Sequence, residues 1–322
     1  MSVDKKKLWL LLVALALILV LVLVLCVTSC EDKKGKLPQV GLCLRQYEAD
    51  SEYGRLLEKC LTEAGYQVRV QDAMNDQTRQ TEQIKALLDE GVVLLVIEPV
   101  IAEAAEDTVS LLMKENVPAV FVGNKPEKAM GMWNRLSFVG SAEDQLGQLQ
   151  GGIILQVDNR GDLNEDGQVS CLVISGPEDD TKAKSQAEGC INVLVTEGLL
   201  VEQIQTSWGD WTGESGRLRC AKALSQYGKD IEVIFCGNEE ITLGALDAVR
   251  SGGWQIGRDY YLAGVGAVEK LHTDYMTGTV VYDLEKMAQQ VLSTGKALIN
   301  GETVEREYYV NLYVLTAETD LE

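Results

Sequence analysis

The chain has 322 residues, of which 46% are hydrophobic and 24% charged, and it carries a net charge of −20 at pH 7. That length supports two globular lobes rather than one small domain. So acidic a surface repels phosphate backbones and anionic lipid headgroups, which excludes nucleic-acid binding as the function class.

Leu8 to Val27 form an unbroken apolar run of 20 residues preceded by Lys5, Lys6 and Lys7, so the N-terminus is expected to stay cytoplasmic and the remainder to be exported. The run exceeds the roughly 7–15 residues of a secretory apolar region and is long enough to span a bilayer, so an uncleaved anchor stands as the alternative to a cleaved leader. Val27-Thr28-Ser29-Cys30 resembles a bacterial lipobox, in which the cysteine is acylated and becomes the first mature residue. Residues 1–29 are therefore read as leader or anchor, with Cys30 as the lipid anchor. Residues 30–37, which include Glu31-Asp32-Lys33-Lys34-Gly35-Lys36, are read as a flexible tether. Either reading places the body of the protein outside the cytoplasmic membrane, held to its outer face.

From Pro38 onward short apolar runs alternate with helical patterns. The predicted strands are Val40–Leu44, Gln67–Val70, Val92–Ile97, Ala119–Val122, Val169–Ile174, Ile231–Cys236, Tyr261–Val265 and Thr279–Tyr282. Between and after them Glu52–Ala64, Thr78–Asp89, Ala102–Lys114, Glu143–Val157, Thr181–Thr196, Gly213–Tyr227, Glu239–Arg250 and Asp283–Ile299 repeat apolar residues at helical intervals. This alternation defines an α/β protein of parallel sheets covered by helices on both faces. Such sheets bind ligands beyond the carboxyl ends of their strands. Cys43, Cys60, Cys171, Cys190, Cys220 and Cys236 fall in these apolar elements with no C-x-x-C pair, so buried free thiols are expected, although an exported chain also permits disulfides.

Asp162-Leu163-Asn164-Glu165-Asp166-Gly167-Gln168-Val169-Ser170 places oxygen-bearing side chains at alternate positions with a glycine sixth, the pattern by which a loop wraps calcium. The twelfth position, where an EF-hand closes the shell with glutamate, is Val173, so another ligand must come from elsewhere in the fold. An acidic surface turn is the other reading of the same residues.

Three segments carry a resemblance. Asn75 to Ile84, followed by Leu87-Leu88 and Gly91-Val92, resembles the first-lobe helix of the bacterial galactose/glucose-binding proteins. The calcium-type loop, and Ile231-Glu232-Val233-Ile234 with Asn238 and Leu243-Gly244-Ala245, resemble that family's second lobe. The resemblance implies a type I periplasmic-binding-protein fold: two Rossmann-like lobes, residues 38–139 plus 284–311 and residues 140–283 plus 312–322, joined by a three-crossing hinge. It also implies a structural calcium ion held by Asp162, Asn164, Asp166, Ser170, the Gln168 carbonyl and Glu232. Ser170 departs from the glutamine of the family and reaches less far.

For the cleft the resemblance implies an aromatic sandwich of Tyr53 and Trp211 around a flat ring, with Asn238 retained in the polar set. Elsewhere the set differs from the family. Glu98 stands for an asparagine; Asp180, Lys182 and Gln186 stand for histidine, aspartate and arginine; Gly266 replaces an aspartate and Tyr282 an asparagine. Asp50, Ser51 or Glu52 must serve for the first-lobe aspartate, because a two-residue insertion blurs the correspondence, and Asn124 and Lys125 follow the strand ending at Val122. Each unpaired buried group costs about 1–3 kcal/mol, so these exchanges argue against tight galactose or glucose binding and for an altered sugar or another small ring. No catalytic constellation competes: the single histidine, His272, lies alone in a helical stretch. The expected function is that of a monomeric solute receptor, not an enzyme, which delivers its ligand to an ABC importer. The alternative is an anchored sensor that presents its closed form to a chemoreceptor or histidine kinase.

Overall fold

The computed structural model describes residues 37–47, 52–142, 145–273 and 276–316. The apolar run, Cys30, Asp50 and Ser51 lie outside the described residues, and among the described ones no helix is long and apolar enough to cross a membrane.

In the first sheet, β1 (Gln39–Leu44), β2 (Gln67–Asp72), β3 (Leu94–Ile97), β4 (Ala119–Val122) and β5 (Leu136–Ser141) are joined by a late strand, β11 (Glu307–Val310). The second contains β6 (Gln168–Ser175), β7 (Leu200–Trp208), β8 (Val233–Cys236), β9 (Tyr261–Val265), β10 (Gly278–Val281) and a late strand, β12 (Tyr313–Thr316). The orders, β11-β5-β4-β3-β1-β2 and β12-β10-β9-β8-β6-β7, are the same pattern used twice. The central strands are apolar without alternation, as burial on both faces requires: Leu94–Ile97, Ala119–Val122 and Val233–Cys236 are buried at every position.

The helices are α1 (Glu52–Glu63), α2 (Gln77–Asp89), α3 (Ala105–Glu115), α4 (Leu146–Leu155), α5 (Thr181–Thr196), α6 (Gly213–Tyr227), α7 (Glu239–Ser251), the short α8 (Lys270–Thr273) and α9 (Leu284–Ile299). Two of them change partners. After β5 the chain crosses to the second sheet, where α4 packs on α5, β9, β10 and β12. After β10 it crosses back, and α9 packs on α1, β4 and β5 of the first. A third crossing separates β11 from β12. Where α4 meets α5 the backbones nearly touch, for a Cβ on Gly147 would fall 2.1 Å from the Gln186 carbonyl oxygen.

Four strands escape the apolar-run criterion. β5 carries Ser137, Gly140 and Ser141; β7 is a half-exposed edge strand; β11 and β12 are short and tyrosine-bearing. β12 also corrects the expectation of wholly parallel sheets, since it runs antiparallel to β10. β11 runs parallel to β5 and so ends at the cleft, and the short crossing from Val310 to Tyr313 delivers the chain to the second sheet at its own carboxyl end, so β12 must run against β10. All six described cysteines are free thiols, and five of them are buried.

Candidate functional site

The carboxyl ends of both sheets face a cleft with two adjoining cavities. The larger, about 700 Å³, lies beside the hinge between the loop after β4 (Gly123, Lys125, Glu127), the end of β5 and the start of α5 (Thr181, Lys182, Ser185). The smaller, about 230 Å³, is a seat in the second lobe, and the structure brings Asp180, Lys182, Gln186, Trp211, Asn238 and Tyr282 together around it.

Trp211 follows β7 and rests on backbone at the ends of the neighbouring strands. A Cβ on Gly176 would fall 2.2 Å from its Cε2, and one on Gly237 2.9 Å from its Cζ3. Two glycines therefore make room for the indole and fix its depth. Asn238, the N-cap of α7, accepts the Ile241 N–H at 2.8 Å and donates from its amide nitrogen to the Trp211 carbonyl at 3.0 Å. Its side chain thus ties the tryptophan loop to the end of β8. Asp180 is likewise an N-cap, accepting from the Lys182 and Ala183 amides at 2.8 and 3.3 Å. Both residues anchor helix starts at the rim, so one side-chain oxygen of each is already engaged.

Beneath the seat lies a residue that the sequence reading missed. Gln150 of α4 is fully buried, and its Nε2 donates to the Cys236 and Ala263 carbonyls at 2.8 and 3.0 Å. Carbonyls accept only, so the amide nitrogen must face them and Oε1 must turn the other way. There it accepts the Nε2 of Gln186 at 2.8 Å. Gln186, 7% exposed, is thereby left to offer its Oε1, an acceptor, to the pocket it lines. A glutamine at position 150, on the otherwise apolar buried face of its helix, is the signal that could have revealed it. Nearby Ser175 is 1% exposed, and its hydroxyl has no hydrogen-bond partner among the described residues.

The first-lobe residues are more dispersed. Glu98, just past β3, accepts the Arg45 N–H at 3.2 Å and lies 3.7 Å from its guanidinium. Burial pushes the Glu98 carboxyl above its ordinary range, while the charge and hydrogen bonds of Arg45 pull it back in part. Tyr53 is half-buried against the first-lobe core and lines neither cavity; its hydroxyl is enclosed and has no hydrogen-bond partner among the described residues. Its pKa is raised first by burial and then by the charge of Glu98. Asn124 donates to the Pro99 carbonyl at 3.2 Å. Lys125 lines the larger cavity and donates to Glu127, Glu307 and Tyr309 at 2.8, 2.9 and 3.2 Å, which ties the β4 loop to β11 beside the hinge. Burial pulls its pKa down, but these partners outweigh it and hold the ammonium above the ordinary lysine value.

The acidic loop stands apart from the cleft, at the amino end of β6. Glu232, 1% exposed and distant in sequence, is brought to it: one carboxylate oxygen accepts the Leu163 and Asn164 amides at 2.7 and 3.0 Å, and the other the Ser170 amide at 2.9 Å. Asp162 accepts the Asp166 and Gly167 amides, Asn164 the Asp166 amide and Asp166 the Gln168 amide. The donor set is all oxygen with three carboxylates, which suits a hard cation such as calcium. Among the described residues no three acidic, histidine or cysteine side chains converge on one point, so an ion would have to draw Asp162, Asp166 and Glu232 together.

Two like-built α/β lobes, three crossings and a cleft lined by strand ends define a two-lobed solute-binding protein. Residues 50–303 match the family described as periplasmic binding protein domain, and the chain belongs to that family. It is 26% identical over 267 residues to the D-galactose/methyl-galactoside binding periplasmic protein MglB of Haemophilus influenzae, covering 80% of this chain and 81% of that one. The ribose import binding protein RbsB of the same organism is 25% identical over 262 residues, covering 80% and 84%. The crystal structure of an ABC transporter solute binding protein from Bacillus halodurans with bound myo-inositol superposes with a TM-score of 0.71 at 19% identity, over 89% of this chain and 97% of that one.

Proposed function

We propose that this protein is an extracytoplasmic receptor that closes its two lobes on a small polyhydroxylated ring and delivers it to an ABC importer, without chemistry of its own. The observation that carries the reading is the second-lobe seat: Trp211 is set on Gly176 and Gly237, ringed by Asp180, Lys182, Gln186, Asn238 and Tyr282. An aromatic face takes up the apolar C–H side of such a ring while fixed polar groups meet its hydroxyls. The relatives point the same way, since galactosides, ribose and inositol are all rings of this type. Ligand contact with both lobes favours the closed population, and the three short crossings are where the hinge bends.

Two further parts belong to this proposal. Acylation at Cys30 would hold the receptor at the membrane. A calcium ion held by Asp162, Asn164, Asp166, the Gln168 carbonyl, Ser170 and Glu232 would brace the second lobe, far from the ligand. When bound it supplies charge neutralisation and rigidity only. Calorimetric titration with D-galactose, D-ribose and myo-inositol tests the central claim. At least one is expected to bind the wild type, and Trp211→Ala should abolish that binding while the protein still melts cooperatively. Failure of all three, or full affinity in Trp211→Ala, defeats the reading.

A further inference from the structure

At the carboxyl end of β9 the backbone takes two successive left-handed residues, Gly266 at φ 61° and Ala267 at φ 51°. Alanine is a strained occupant of that region, and Ala267 is 1% exposed, so the surrounding fold imposes the conformation. The turn has a visible product. Its Ala267 N–H donates to Oε1 of Glu239 at 2.8 Å. The Glu239 side chain also lies directly over Gly266, where a Cβ would fall 2.7 Å from its Cδ and 2.9 Å from both its Cβ and its Oε2. Glycine at 266 is a cradle that only a residue without a side chain can provide, and what it cradles is a carboxylate.

The position of that carboxylate gives it a use. Glu239 is the first residue of α7, next to Asn238, which lines the second-lobe seat. The Gly266 N–H donates to the Val280 carbonyl at 3.0 Å, which joins the turn to the strand whose end presents Tyr282 to the same seat. Glu239 therefore adjoins the seat, beside Asn238 in the chain and against the turn that is bonded to β10. One of its oxygens is fixed by a backbone amide; the other, Oε2, accepts no hydrogen bond among the described residues. Its residue is exposed on the cleft side of the sheet.

We propose that Glu239 is a ligand-binding, specificity-determining residue of the second lobe, whose Oε2 accepts a hydrogen bond from a ring hydroxyl. The assignment rests on the polyol-receptor reading above. It makes the Gly266-Ala267 turn a positioning device: Ala267 aims the carboxylate, and the bare Gly266 lets it lie close to the sheet.

The test is calorimetric titration of the full chain with D-galactose, D-ribose and myo-inositol, followed by monodeoxy analogues of whichever binds. Glu239→Gln keeps the shape and removes the charge, and about a 10-fold loss of affinity is expected; Glu239→Ala should lose about 100-fold, the range of a charge-assisted hydrogen bond. One deoxy position should cost the wild type heavily and Glu239→Ala almost nothing, a coupling that a merely structural glutamate would not show. Glu239→Gly combined with Gly266→Asp returns a carboxylate from the turn itself, in a left-handed conformation that aspartate tolerates, and should recover most of the lost affinity. Wild-type affinity in both Glu239 variants, with a bound polyol in hand, overturns this assignment and leaves the receptor standing. A wild type that binds none of the three polyols overturns the receptor reading and the assignment with it.

Discussion

The two lobes share one strand order, yet they meet the cleft differently. In the second lobe the rim side chains are fastened to the scaffold beneath them: Gln186 to Gln150, Asn238 to the Trp211 carbonyl, and Trp211 onto two glycines. In the first lobe the polar residues are fastened mainly to partly exposed side chains, as Glu98 is to Arg45 and Lys125 is to Glu127 and to Glu307 at the start of β11. The second lobe is thus a preformed seat, and the first a cover whose polar groups can exchange partners when it closes. Preorganisation belongs on the side that binds first, because a group that is already held loses less freedom on binding.

The sharpest way to break this contrast is to lift the tryptophan off its seat. Gly176→Val should displace the indole and, like Trp211→Ala, weaken polyol binding by 100-fold or more in calorimetry. The first-lobe counterpart, Gly123→Ala, puts a side chain at a left-handed φ of 64° and 3.0 Å from Glu98 Cγ and Oε1, so it should cost stability, but it should lower polyol affinity far less than Gly176→Val. Next in size is Gln150→Leu. Stripping two buried carbonyls and Gln186 of their partner should cost about 3 kcal/mol and lower the melting temperature by roughly 6–12 °C in a thermal scan. Affinity should fall as well, since Gln186 is then free to turn.

Chelation comes third. If calcium occupies the Glu232 loop at about 100 times its Kd, excess EDTA should remove about 2.7 kcal/mol of stability, or roughly 5–10 °C. Glu232→Gln should melt at the same temperature with and without EDTA. The smallest effect concerns pH. Glu98 has a raised folded-state pKa, so its stabilising contribution is present in the protonated form and is lost as pH rises through that value. Glu98→Gln, which cannot ionise, should therefore gain in melting temperature relative to wild type as pH rises from the acidic range towards neutral. At a pH below the ordinary glutamate range the two should coincide. A Glu98→Gln protein that melts lower at pH 7 would place Glu98 among the rigid groups and erase the contrast.

Fold class and much of the second-lobe seat could be read in the sequence. Buried central strands are written as unbroken apolar runs, and Asp180 and Asn238 follow two of them, whereas Trp211, which follows the unmarked β7, and Tyr282, placed inside a predicted strand, are reached through the family resemblance. What escaped depends on three-dimensional neighbours. β5 and β7 are strands because their neighbours pair with them, despite serine, glycine and exposed polar residues. Gln150 matters only because α4 crosses to the other lobe and carries it under β8 and β9. Gly266 reads in sequence as a lost side chain, and only the folded turn shows what occupies the space.

The partner exchange of α4 and α9 bears on how this chain can be made. The first sheet is completed by β11 and the second by β12, so both lobes wait for the last residues before either has all its strands. Until then the outer edges of β5 and β10 are open templates for pairing with another chain. Removing residues from 307 onward should therefore impair both halves at once, and no single cut releases an intact lobe. The protein is a pair of structures by architecture and one unit by assembly.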